Sequence, residues 1–166
     1  MYFFRFIKTA AVIAALCIGT EAAAQGLVDQ KSLSADMAMA LATAALEDCR
    51  SKGFTVSVTV VNADGLIKAF VRDDGAGPHT IDLSRKKAYT AATQKNLSGQ
   101  VAIQWGDRPP PAIDGIVALA GGVPIRAGDE VIGAVGISGA PAGDPAGTND
   151  EICANAGIAS IASQLE

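Results

Sequence analysis

Residues 55–62 read TVSVTVVN, and after Ala63 the dipeptide Asp64-Gly65 leads into residues 66–72, LIKAFVR. Val56, Val58 and Val60 alternate with Ser57 and Thr59. That is the period-2 pattern of a strand with one face on a core. Asp-Gly marks a tight turn, because glycine takes up φ > 0 without steric cost. The stretch therefore predicts an antiparallel hairpin, Thr55–Asn62 paired with Leu66–Arg72.

Helical periodicity flanks this hairpin on both sides. Upstream, Ser34 is a candidate N-cap for a helix ending at Gly53. Met37, Leu41, Ala45 and Cys49 recur every four residues beside Ala38 and Ala42, a core-facing stripe. Residues 25–33 read as a short mobile lead. Downstream, Asp73–Pro78 (DDGAGP) is a loop, and a helix is predicted from near Thr80 to Gln94. Asn96–Gly115 gives a short helix around Ser98–Gln104 and then Pro109-Pro110-Pro111, stiff and extended. Ile116–Leu119 is predicted as a strand, followed by a second hairpin, Val123–Arg126 with Val131–Ser138. A Gly/Pro/Ala loop, Gly139–Gly147, precedes a final helix. Thr148 and Glu151 are spaced as a capping box there, and Ala154, Ile158, Ile161 and Leu165 share a face. Hairpins separated by helices define an α+β fold, helices packed on an antiparallel sheet.

The chain has 166 residues and a net charge of −4. Its beginning reads as a secretory signal. Arg5 and Lys8 precede an apolar run, Ala10–Ile18, and Ala22-Ala23-Ala24 resembles a cleavage site before Gln25. Cleavage after residue 24 leaves 142 residues, a single-domain length. It also removes Arg5, Lys8 and Glu21, leaving 11 basic against 16 acidic residues. Only Phe54, Phe70, Tyr89 and Trp105 then remain as aromatics. An acidic, aromatic-poor chain lacks the basic stripe and stacking platforms of nucleic-acid binding. No second apolar stretch reaches membrane length. The expectation is a periplasmic or secreted protein.

Cys49 and Cys153 remain after cleavage, near the end of the first helix and the start of the last. Antiparallel packing of those helices would let them form a disulfide; otherwise they are two separate buried thiols. Two cysteines and one histidine make no zinc signature. Gly136-Ile137-Ser138-Gly139-Ala140 misses the nucleophile elbow at its last position. Gly75-Ala76-Gly77-Pro78-His79-Thr80 follows a strand and opens a helix, but Thr80 replaces the third glycine of a dinucleotide loop. Backbone N–H groups at that helix start offer an anion site, with a plain strand-to-helix turn as the alternative. His79, the only histidine, stands at this junction and can ligate iron or shuttle a proton, or act simply as a surface or capping residue. In Arg85-Lys86-Lys87, adjacent side chains diverge by about 100°. Lys86 reads as solvated, while Lys87 and Arg72 are candidates to pair with an anionic ligand. Asp144, Asp150 and Glu151 precede the last helix and suit its positive end.

Three stretches together resemble the GlcG/HbpS-like haem-binding family, which includes the C-terminal domain of PduO. They are Arg72-Asp73-Asp74-Gly75-Ala76 with Lys87-Ala88-Tyr89-Thr90-Ala91-Ala92, Gly121-Gly122-Val123-Pro124-Ile125, and Val131–Gly139 with Asp150-Glu151 beyond. The resemblance runs from Ser34 to the C-terminus. It implies a profilin-like antiparallel sheet flanked by helices, homo-oligomers that are often octamers, and binding of haem or a related tetrapyrrole for sequestration or sensing. On that reading His79 is the axial iron ligand, Arg72 or Lys87 pairs with propionates, and Gly77 and Tyr89 belong to the cofactor site. Two alternatives stand beside it: a small-molecule enzyme such as a lyase in the same loop–helix corner, and a ligand-free structural or sensory partner. Fold alone does not choose among them.

Overall fold

The computed structural model describes residues 26–105, 113–143 and 146–166. The predicted signal segment, the three prolines and Asp144 lie outside them. The elements run α1 (Ala35–Ser51), β1 (Ser57–Asn62), β2 (Ile67–Arg72), α2 (His79–Gln94), α3 (Gln100–Trp105), β3 (Gly122–Ala127), β4 (Glu130–Ser138) and α4 (Thr148–Ser160), with a short 3-10 turn at Ala162–Gln164. The four strands form one sheet in the order β2-β1-β4-β3, every pair antiparallel. The predicted α+β class and both hairpins are present.

The sheet is covered on both faces. Val56, Val58, Val60, Val135 and Ile137 join Leu41, Ala45, Cys49, Cys153 and Ala154 of α1 and α4 in the main core. The other face carries α2, where Val61 and Ala134 meet Ala88, Ala91 and Ala92. This corrects the one-sided reading of β1, whose Ser57 and Thr59 are fully buried. Ser57 Oγ and Thr80 Oγ1 lie 2.7 Å apart, and Thr59 Oγ1 and Ser84 Oγ 2.8 Å apart. These hydroxyl pairs satisfy the groups that the polar half of the alternation buries. The helix backbone lies directly on β4: a Cβ at Gly136 would stand 2.2 Å from Ser84 O.

Ser34 caps α1, accepting from Met37 N at 3.1 Å. Leu33, read as part of the mobile lead, is 1% exposed and sits in the core. Ile116–Leu119 is not a strand, and it pairs with neither edge strand, β2 or β3. Instead Val117 N donates to Thr90 Oγ1, pinning the segment across α2. At α4 the cap position falls to Gly147, φ 95°, so Thr148 and Glu151 do not occupy the capping-box positions. Cys49 and Cys153 form a disulfide with their Cα atoms 5.5 Å apart, joining α1 to α4.

Candidate functional site

The loop between β2 and α2 is fixed from two sides. Arg50, in the last turn of α1, donates through Nε and Nη2 to Asp73 Oδ2 and Oδ1 at 3.0 and 2.9 Å. This two-pronged bond holds the Asp73 carboxyl below its ordinary range. Arg72 Nε donates to Ala76 O at 3.0 Å. Gly77 then leads into α2, where its carbonyl accepts from Thr80 N and from Thr80 Oγ1. A Cβ at Gly77 would stand 2.7 Å from His79 Cε1 and 2.9 Å from Nδ1, so the missing side chain leaves room for the imidazole.

His79 lines a cleft of about 290 Å³ between the start of α2, the end of β4 and the start of α4. Leu83, Leu119, Ala120 and Ala140 form apolar walls, and Lys87, Ser138 and Asp150 are its polar lining. Lys87 and Asp150 are almost wholly buried, with side chains 5% and 6% exposed. Lys87 Nζ donates to Asp150 Oδ2 at 2.7 Å and to Ile137 O at 3.0 Å. Asp150 Oδ1 accepts from Ala140 N at 3.1 Å. Burial pushes the Asp150 carboxyl up from its ordinary value, against the downward pull of Lys87 and of the Ala140 N–H. A second hollow of about 350 Å³, with Leu97, Ile103 and Glu151 in its wall, shares Leu119, Ala120 and Ala146 with the first.

The structure thus brings together two of the predicted site residues, His79 and Lys87, and places Gly77 beneath the imidazole. Arg72 and Tyr89 do not line the cleft. The Arg72 guanidinium turns to Ala76 O, and the Tyr89 ring lies over Gly65 and Gly115. The Lys87 ammonium already has a carboxylate partner, so it is not a free counter-ion for a propionate. Asp150 does more than complement the helix dipole, because it neutralises Lys87 from 63 residues away. Arg85 and Lys86 both pair with Asp82 on the surface. The pairs Lys87–Asp150 and Arg50–Asp73 were not foreseen. Their only sequence signal is a set of charges in otherwise apolar or glycine-rich surroundings. Among the described residues no cluster of three or more His, Cys, Asp or Glu side chains is placed to hold a metal ion.

A four-stranded antiparallel sheet between one helix and a disulfide-joined helix pair, with a cleft at the loop–helix corner, defines a profilin-like α+β protein. Residues 33–159 match the haem-degrading HbpS-like family, and the chain belongs to that family. GlcG of Escherichia coli K12 is 32% identical over 108 residues, covering 64% of this chain and 81% of GlcG. A double mutant of HbpS from Streptomyces reticuli superposes with a TM-score of 0.74 at 34% identity, over 92% of this chain and 97% of that one. The PduOC:heme complex gives a TM-score of 0.69 at 25% identity, over 79% and 96%.

Proposed function

We propose that this chain is an exported haem-binding protein that works as a homo-oligomer in sequestration or sensing, with His79 as the axial ligand to the iron. The observation that carries this is the likeness to PduOC, a protein whose structure is of a heme complex, together with His79 at the rim of the cleft. Bound haem would supply an iron centre able to take an axial imidazole.

The lining suits one edge of a tetrapyrrole. Leu83 and Leu119 offer aliphatic contact, and the imidazole is exposed above Gly77. The volume falls at the lower end of small-ligand pockets, about 300–1,000 Å³. Among the described residues the cleft lining holds no Phe, Tyr or Trp. A second chain would therefore cover the rest of the macrocycle, which is why oligomerisation belongs to the proposal. Strand β2 offers a surface for it, being an edge strand with Ile67 and Phe70 about half exposed. Titration of the purified mature chain with haemin tests the reading. The expected result is a shifted Soret band that saturates at a fixed stoichiometry; a featureless titration at micromolar haem overturns it.

The enzyme alternative keeps one specific observation in its favour. A buried ion pair beside a cleft of this size fits a small substrate better than a macrocycle. The sequence of operon neighbours separates the two: a haem uptake system supports haem binding, and a catabolic operon supports the enzyme.

A further inference from the structure

An ammonium group has three N–H donors, and Lys87 uses two of them, on Asp150 and Ile137 O. No acceptor for the third occurs among the described residues. Ser138 lines the same cleft and is 2% exposed. Its hydroxyl has no hydrogen-bond partner among the described residues. Both groups can thus donate into the same cleft, where an acceptor on a ligand would take up bonds that the fold leaves open.

The charge balance decides what they can receive. Asp150 already neutralises Lys87, so an incoming carboxylate would leave a net negative charge in a desolvated place. A hydroxyl ligand would bring a proton that has to share an Asp150 oxygen already accepting one bond. A neutral carbonyl oxygen has two lone pairs, adds no charge and brings no proton. The walls beside it, Leu83, Leu119 and Ala140, call for an apolar body, and the adjoining hollow continues that surface past Leu97 and Ile103. We propose that the cleft binds a small neutral carbonyl compound with an apolar body, its oxygen accepting from Lys87 Nζ and Ser138 Oγ. This goes beyond the haem reading and does not depend on it. A chain that leaves the Soret band unshifted can still bind such a ligand.

Acetophenone and benzoate, alike in shape but neutral and anionic, are the probes, followed by backbone amide NMR shifts of Gly139 and Ala140 in the mature chain. Acetophenone is expected to give saturable shifts, and benzoate to bind at least about tenfold more weakly. Ser138→Ala, a change of one hydroxyl, should weaken acetophenone about fivefold. Lys87→Met with Asp150→Asn removes both charges together and should abolish saturation. Absence of saturable shifts at millimolar acetophenone overturns the proposal. So does equal binding of benzoate, or acetophenone binding unchanged in both variants.

Discussion

Lys87 and Asp150 are held by each other more than by anything else near them. Each is desolvated, and each makes one further bond to the backbone. Lys87→Met alone leaves a buried carboxylate without its cation and is expected to cost about 3–5 kcal/mol. Adding Asp150→Asn should restore most of that loss, since a neutral pair needs no compensation. Urea unfolding of the three proteins measures this; equal loss in the single and double variants would show that the pair contributes through packing alone. Asp73 makes a different prediction. Arg50 lowers its folded pKa, so its contribution to stability is present above the ordinary carboxylate value and is lost as pH falls through the folded one. The advantage of the wild type over Asp73→Asn should therefore shrink below about pH 4, as followed by urea midpoints. A constant difference from neutral to acid pH would contradict it. Asp150 has the opposite sign, with its pKa raised by burial. Its contribution is greatest below the ordinary value and declines as pH rises through the raised one. Residues such as His79 and Lys87 could be singled out in the sequence by chemistry and local pattern. Their partners could not, because Asp73 lies 23 residues from Arg50 and Asp150 lies 63 from Lys87. Only the packed fold brings those charges together.

The elements were the most readable part of the sequence. Alternation in Thr55–Asn62 and the four-residue stripe of α1 each report a single buried face, and both elements are where that pattern puts them. What alternation cannot report is a second face buried against small residues. Ser57 and Thr59 read as solvent-facing, yet Thr80 and Ser84 supply their partners. Ile116–Leu119 has strand-like composition, but Val117 N donates to the Thr90 hydroxyl and the segment joins no sheet ladder. The join between α1 and α4 lends itself to a direct measurement. Cys49 and Cys153 are fully buried, and the bridge between them spans 104 residues of chain. Replacing both with alanine should lower stability by about 4.7 kcal/mol in the chain-entropy account. Thermal melts of the oxidised wild type, the reduced wild type and the double variant check this. If all three melt together, the bridge does not constrain the unfolded chain.

For the molecule as a whole, the described helices include none long and apolar enough to cross a membrane. The exposed apolar side chains are not scattered evenly: Leu66, Ile67 and Phe70 gather along the free edge at β2, and Met39 and Phe70 share one hollow there. On the proposed oligomer, Ile67→Glu with Phe70→Glu should shift the mass found by light scattering toward a single chain, with the circular dichroism spectrum retained. An unchanged mass would place any interface elsewhere. The same proposal needs a second chain at the haem, because one cleft of about 290 Å³ has aliphatic walls only along part of its lining. Its central claim is the bond from His79 to iron. Electron paramagnetic resonance of the ferric haem complex, wild type against His79→Ala, reads that bond most directly. The prediction is a histidine-ligated signal in the wild type that is lost in the variant. Identical spectra from the two proteins would contradict it.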